Sequence, residues 1–196
     1  MNKGRVEAFT DAVVAIVLTI MVLEFKTPDE PTFTALASNW SYLVAYLISF
    51  LFVGVAWYNH HYMFALTKRV TKRIYWVNNL WILVMAMLPV STAWAGRFIT
   101  AVQPELFYFI IFTLWALAYA ALSHTVMAVN LARDPEIAQK IRCMPAYRIH
   151  ASVWFWLVWL VVLGLIFVWP PISLAFTLAE LLLMAIRTPA DSDRLF

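Results

Sequence analysis

Residues 5–25 read RVEAFTDAVVAIVLTIMVLEF, and this stretch decides the class of the fold. A helix that crosses a bilayer needs about 20 mostly apolar residues, and this stretch is of that length. It is long, carries an acid near its start and is not followed by a small-residue cleavage site. We therefore expect it to be retained as a membrane span rather than removed as a signal peptide.

The composition of the whole chain extends this reading beyond the first span. Of 196 residues, 64% are hydrophobic and 13% are charged, whereas a soluble domain carries about 25% charged residues. Five further stretches are apolar enough to span a membrane, namely Trp40–Leu66, Arg73–Ala95, Pro104–Leu131, Tyr147–Trp169 and Pro170–Arg187. The sequence predicts one all-α domain, residues 1–196, as a polytopic membrane protein with six transmembrane helices. We expect a short surface helix in the polar connection 132–146.

The basic residues predict the orientation of these spans. With the N-terminus inside, two of the 14 Lys and Arg residues, Lys26 and Arg97, lie outside. The other twelve lie inside: Lys3, Arg5, Lys68, Arg69, Lys72, Arg73, Arg133, Lys140, Arg142, Arg148, Arg187 and Arg194. Because cytoplasmic loops carry an excess of Lys and Arg, both termini are predicted to be cytoplasmic, and the chain to lie in the inner (plasma) membrane of the cell.

The sequence shows no motif for enzymatic or metal chemistry. There is no GxSxG, P-loop or GxGxxG pattern, and the adjacent His60 and His61 point about 100° apart on a helix, which disfavours a shared metal ion. Glu105 and Glu180 fall near span ends, where solvation is cheap, and form no evident acid–base pair. The net charge of +3 is explained by the cytoplasmic loops. We expect no enzyme, no metal, no cofactor and no nucleic-acid partner.

Polar residues in three spans fall at a similar predicted depth, about 8–10 Å from the inner interface. They are Asp11 in the first span, His60 and His61 in the second, and Asn78 and Asn79 in the third. Because polar groups in a bilayer are costly, we expect one hydrogen-bonded network to join the three helices. Such a network most simply holds helices together or supports a nearby pathway, and direct proton or metal chemistry is the alternative. Arg5 is placed to neutralise Asp11.

One face of the first helix is nearly apolar. Ala12, Ile16, Thr19 and Leu23 fall within about 60° of one another at 100° per residue. This pattern is typical of an ordinary packed or lipid-facing stripe, and it also fits a constriction that gates by dewetting. Periodicity does not separate the two readings. A TVGYG-type filter is absent, so an ion pathway here would not use carbonyl rings of that kind.

The seven residues RVEAFTD, from Arg5 to Asp11, resemble the RxxxF[S/T]D signature that opens the first helix of the endo-lysosomal potassium channel family and its bacterial homologues. Later landmarks of that family also have similar counterparts in this sequence. They are the segment from Trp57 to His61, then Asn78 or Asn79, and then Leu88 and Pro89. The resemblance covers roughly residues 5–100 and rests on span count beyond them.

The resemblance implies a cation leak channel that favours K⁺ over Na⁺, with K⁺ and related monovalent cations as permeant ions and the lipid bilayer as its surroundings. A single six-span repeat implies a homotetramer in which helix 1, about residues 5–25, lines a central pore. Counting from the signature aspartate places Ile16 at the main constriction, with Thr19 and Leu23 further outward. Which ring sets selectivity stays open.

The resemblance also implies that the signature residues hold helix 1 in place. These are Arg5, Phe9, Thr10 and Asp11, with His61 and Asn79 as their candidate partners. Two other functions remain open from the residues: a proton-coupled small-solute transporter that relays protons through Asp11 and His61, and a membrane protein with no transport activity. The transporter is disfavoured because internal repeats and broken helices are not visible in the sequence.

Overall fold

The computed structural model describes residues 2–131 and 134–187, and the regular elements in these ranges are α-helices. They are α1 Lys3–Leu23, α2 Phe33–Ala37, α3 Trp40–Leu66, α4 Lys72–Met85, α5 Leu88–Arg97, α6 Val102–Leu131, α7 Pro135–Cys143, α8 Pro145–His150, α9 Val153–Ile166 and α10 Ile172–Arg187. Two of the basic residues assigned to the inside, Arg133 and Arg194, lie outside the described residues.

Four stretches of the described chain are long and apolar enough to cross a membrane: α1, α3, α6, and α4 with α5 taken together as Lys72–Arg97. The predicted all-helical architecture with membrane-spanning segments is therefore confirmed. The other two predicted spans correspond to shorter helices, α9 with 14 residues and α10 with 16.

Two of the six predicted spans, the third and the fifth, are interrupted in the structure. The third span breaks into α4 and α5 at Ala86–Met87, just before Pro89, which has no N–H to continue the helical hydrogen bonds. The fifth was predicted to begin at Tyr147, but α8 ends at His150. Ser152 then adopts an extended conformation (φ −82°, ψ 130°), so α9 begins at Val153. The connection after α6 holds the predicted short helix, α7.

Hydrogen bonds between helix ends show that α1 and α3 run antiparallel. Lys3 Nζ, at the start of α1, donates to the carbonyl of Ala65 near the end of α3 over 3.3 Å. At the opposite end of the bundle, the Tyr42 hydroxyl donates to the carbonyl of Met21 over 2.7 Å. The start of α1 and the end of α3 therefore share one end of the bundle, which is the end rich in basic residues.

An ion pair ties two connections together at this basic end. Lys68 Nζ, just after α3, lies 2.5 Å from Asp134 Oδ2, just before α7. The hydrogen bond from Lys68 holds the pKa of Asp134 below its usual range, and the same bond raises the pKa of Lys68. The pair links the two connections. Because it is exposed to solvent, it adds little stability.

The aromatic core of the bundle forms around α6, which packs against α4, α5, α7 and α10. Phe52 of α3 meets Trp115 of α6 edge to face, with ring centroids 4.5 Å apart. Trp115 also stacks on Tyr119 at 5.6 Å, and both side chains are almost fully buried. In this geometry aromatic pairs contribute beyond the area they bury, so this ring contact helps to hold α3 against α6.

Gly96 lets α5 approach α3 closely, and its replacement by alanine is expected to destabilise the fold. A Cβ at position 96 would lie 2.8 Å from the Cα of Tyr42, which is backbone and cannot rotate away. The Ser41 hydroxyl also donates to the Gly96 carbonyl over 2.8 Å. We expect Gly96→Ala to lower the free energy of unfolding by about 1–3 kcal/mol, as overpacking does.

Thermal unfolding of the detergent-solubilised protein measures this effect. Gly164→Ala in α9 is the matched control, since a Cβ there meets nothing within 4 Å. We expect the control to leave the melting temperature unchanged or raise it slightly, because alanine favours helix more than glycine does. Equal melting temperatures for the two variants would contradict the close approach.

Candidate functional site

Helix α1 presents one face to the rest of the chain. Its buried residues recur every three or four positions: Val6, Thr10, Val14, Val17 and Met21. This spacing places them on one side of an α-helix, where they pack against α3, α4 and α5. The N-terminus of the helix is closed by Asn2, whose side chain accepts a hydrogen bond from the Arg5 N–H.

The face predicted to be nearly apolar lies on the other side of α1, and no other part of the described chain covers it. Ala12, Ile16, Thr19 and Leu23 are all exposed, and the exposed fractions of Ile16 and Leu23 are 54% and 78%. The Thr19 hydroxyl donates to the Ile16 carbonyl over 2.9 Å, so its hydrogen is satisfied within the helix. The face is thus apolar, unpacked and available to lipid, to another subunit or to a pathway between subunits.

A buried hydrogen-bonded chain joins three helices at the inner half of α1. Asn78 Nδ2 of α4 donates to Thr10 Oγ1 over 2.8 Å, and Thr10 in turn donates to the Val6 carbonyl over 2.9 Å. His60 Nε2 of α3 lies 2.7 Å from Asn78 Oδ1. Since the amide nitrogen of Asn78 is used toward Thr10, its oxygen accepts from His60, and the proton of the imidazole sits on Nε2.

The imidazole of His60 is fixed by two stacked rings. It lies between Phe64, at 4.3 Å between centroids, and Trp81, at 4.7 Å, with interplanar angles of 22° and 16°. The side chains of Thr10, Asn78 and His60 are all almost fully buried. A buried polar chain whose members are paired with one another specifies a single arrangement of the helices it joins.

The predicted partners His61 and Asn79 do not belong to this buried chain. Asn79 Nδ2 donates to the Tyr75 carbonyl of its own helix over 2.8 Å. His61 stacks on Trp57 at 5.4 Å, and Trp57 Nε1 donates to Asp11 Oδ1 over 2.8 Å. Adjacent residues on a helix point in different directions, so only one residue of each adjacent pair is turned toward Thr10. In both pairs it is the first residue, His60 or Asn78.

Arg5 and Asp11 do not form the expected ion pair. Six residues along a helix correspond to a rotation of about 240°, which places the two side chains on different faces. Asp11 is exposed on the subunit and is held by Trp57 instead. Phe9, the aromatic position of the signature, is 48% exposed and therefore stands on the subunit surface rather than in its core.

A second group of buried polar residues was not anticipated. Glu105 and Glu180 were placed near span ends with cheap solvation, but their exposed fractions are 0% and 5%. The Ser173 hydroxyl donates to Glu105 Oε2, and Glu180 Oε1 lies 2.9 Å from His150 Nε2. Glu180 lies seven residues before Arg187, two turns inside α10. This depth within the helix is the feature of the sequence that indicates its burial. Across residues 2–131 and 134–187, no three His, Cys or carboxylate side chains converge as metal ligands.

Comparison with known proteins identifies similar chains. A family model described as "Endosomal/lysosomal potassium channel TMEM175" matches residues 5–89. A potassium channel of Chryseobacterium sp. (strain P1-3) is 38% identical over 127 residues, which are 65% of this chain and 66% of the relative. A potassium channel of Streptomyces collinus is 34% identical over 146 residues, which are 70% of this chain and 71% of the relative. The match thus leaves about a third of each relative's length uncovered.

The fold itself has a counterpart among solved structures. The crystal structure of a lysosomal potassium-selective channel TMEM175 homolog from Chamaesiphon minutus superposes with a TM-score of 0.77 at 27% sequence identity. The superposition covers 96% of this chain and 98% of the other. The similarity of structure therefore extends over the C-terminal half, where the sequence resemblance is weaker.

Proposed function

This chain belongs to the endosomal/lysosomal potassium channel TMEM175 family, and on that premise we propose that it is a potassium channel with a central pore lined by α1. Four subunits assemble around this pore as a homotetramer. K⁺ and related monovalent cations pass through it, and no bound cofactor takes part. Family and relatives are ion channels, which agrees with the absence of enzyme motifs in the sequence.

The observation that carries this proposal is the uncovered apolar face of α1. A helix that is anchored along one side by buried residues and bare along the other faces either lipid or a neighbouring subunit, and membership of a potassium channel family favours a pore between subunits. A ring of four Ile16 side chains forms the narrowest point, with rings of Thr19 and Leu23 further outward. Large apolar side chains at such a point control ion passage by excluding water.

The same proposal includes a topology of six spans with both termini in the cytoplasm. The four long helices are joined by α9 and α10 as the fifth and sixth spans. Twelve of the 14 basic residues then face the cytoplasm, which supports this orientation and a location in the plasma membrane. The position of α1 is held by the signature residues Arg5, Phe9, Thr10 and Asp11. Asn78 and His60 provide the buried hydrogen bonds that hold the helix through Thr10.

Subunit count and thiol accessibility together test the pore. We expect native mass spectrometry to give a tetramer, and a cationic methanethiosulfonate reagent to suppress K⁺ flux through liposomes containing Leu23→Cys in a Cys143→Ser background. The matched control is Val161→Cys, whose native residue is 61% exposed on α9, and its flux should resist the reagent. A monomer without flux, or equal reagent sensitivity of both variants, would count against the pore assignment.

A further inference from the structure

A groove opens between α8, α9 and α10, away from α1 and its network. Its volume is about 510 Å³, and its apolar lining includes Trp154, Phe155, Val158, Phe176 and Leu183. The helix faces beside it are also apolar and uncovered, since Leu182 is 55% exposed and Ile186 is 82% exposed. The groove is therefore suited to a flexible hydrocarbon chain rather than to a polar solute.

Two arginines stand at the basic end of this groove. Arg148 of α8 and Arg187 of α10 line it, and both also line an adjoining cavity of about 310 Å³ together with Cys143 and Pro145. Both arginine side chains are exposed. Within residues 2–131 and 134–187, no carboxylate lies within ion-pair distance of either guanidinium. Two positive charges thus border both the smaller cavity and the largely apolar groove.

The acidic residue that lines the groove does not neutralise these charges. The carboxylate of Glu180 is buried against His150, with 2.9 Å between Glu180 Oε1 and His150 Nε2. Glu180 also lies seven residues before Arg187, about 10 Å along the helix axis. Among the residues that the structure describes, the mouth of the groove is therefore positive, and the one carboxylate along its wall, that of Glu180, faces inward to His150.

From this arrangement we propose that the groove binds an anionic phospholipid of the inner leaflet. The headgroup phosphate lies between Arg148 and Arg187 in the smaller cavity, and an acyl chain lies along the apolar lining toward Val158. Arginine guanidinium groups match phosphate oxygens in geometry and charge. The inner-leaflet position rests on the proposed topology, whereas lipid binding itself does not require ion conduction.

A phospholipid accounts for both parts of the site, which other occupants do not. A free phosphate ion would use the arginines and leave the apolar groove empty. An apolar helix of another chain would cover the groove and leave two positive charges without a partner. Basic pockets between helices on the cytoplasmic side are typical sites for anionic lipid headgroups.

Native mass spectrometry of the full chain, titrated with dioleoyl phosphatidylglycerol, tests the proposal. We expect Arg148→Gln combined with Arg187→Gln to weaken lipid retention roughly tenfold or more, because each basic residue near an anionic lipid contributes to binding. Lys140→Gln combined with Arg142→Gln is the matched control, since it removes the same charge from α7 at the same end without touching the groove. The control should retain lipid as the unmodified chain does.

A second variant tests the apolar part of the site separately. Ala179 lines the groove and is exposed, so Ala179→Trp fills it without disturbing the core. We expect weaker retention of phosphatidylglycerol with both arginines intact, and no retention of sn-glycerol 3-phosphate by any variant. Equal loss in the two charge pairs would overturn the proposal, as would unaltered binding in Ala179→Trp or tight binding of glycerol phosphate. Lost lipid retention with intact K⁺ flux would leave the channel proposal standing.

Discussion

Replacing Ile16 with asparagine is expected to change the K⁺/Na⁺ permeability ratio and raise cation flux while the subunits still assemble. Ile16 lies on the uncovered face of α1, and its side chain makes no part of the buried core. In the proposed tetramer, one substitution places four amides at the narrowest point, where they hold water that the native side chains exclude. A decrease of about 1.4 kcal/mol in the barrier to permeation is enough for a tenfold rise in flux.

Ion flux into liposomes, measured separately for K⁺ and Na⁺, provides the readout. Val161→Asn is the matched control, because Val161 is as exposed on α9 as Ile16 is on α1. Val161→Asn places the same amide on the apolar surface of α9, which lies away from the pore in the proposed tetramer. An unchanged permeability ratio in Ile16→Asn, or the same change in both variants, would remove Ile16 from the constriction.

Replacing Asn78 with leucine is expected to be among the most destabilising changes in the inner half of the bundle. The substitution removes the acceptor of His60 Nε2–H and the donor to Thr10 while both partners remain buried. Interhelical hydrogen bonds in membrane proteins contribute only about 0.6 kcal/mol on average. Groups left unpaired in a closed interior cost more, so we expect a loss of about 1–3 kcal/mol in the free energy of unfolding.

The neighbouring residue supplies the control for this experiment. The Asn79 amide donates to the Tyr75 carbonyl of its own helix, so Asn79→Leu removes a hydrogen bond within α4 and not one between helices. Thermal unfolding in detergent should show a clearly lower melting temperature for Asn78→Leu than for Asn79→Leu. The reverse order would mean that Asn79, as the sequence suggested, anchors α1. The K⁺ flux of Asn78→Leu should fall as well, because α1 loses its buried anchor.

The sequence was sufficient to predict the helices but not the partners within them. Hydrophobic runs predict the ends of the long described helices within a few residues. An apolar stretch long enough to cross a bilayer has few structures open to it other than a spanning helix. A hydrogen-bonded network across the same three helices was also predicted, but its member in α1 is Thr10 and not the predicted Asp11. Choosing His60 over His61 and Asn78 over Asn79 requires the rotation of each helix about its axis. Apolar helices with residues of similar character on all sides give no signal for that rotation.

The buried glutamates illustrate a different limit. Its distance from the end of a hydrophobic run predicts that Glu180 is solvated. Its actual surroundings depend on where α8 folds back against α10. The His150 partner comes from α8, a short helix that the sequence reading merged with the fifth span. A contact between residues thirty positions apart follows from packing, and no pattern of local residue types encodes it.

The short final helices have a consequence for the bilayer around the protein. At 1.5 Å per residue, α9 and α10 are about 21 Å and 24 Å long, whereas the hydrocarbon layer is about 30 Å thick. In the proposed six-span topology these two helices cross the membrane, so the lipid beside them becomes locally thinner, at a cost of a fraction of a kcal/mol per Å of mismatch. The proposed channel is then best matched to a thin membrane along the lipid-facing sides of α9 and α10. We therefore expect its stability to depend on the thickness of the surrounding bilayer.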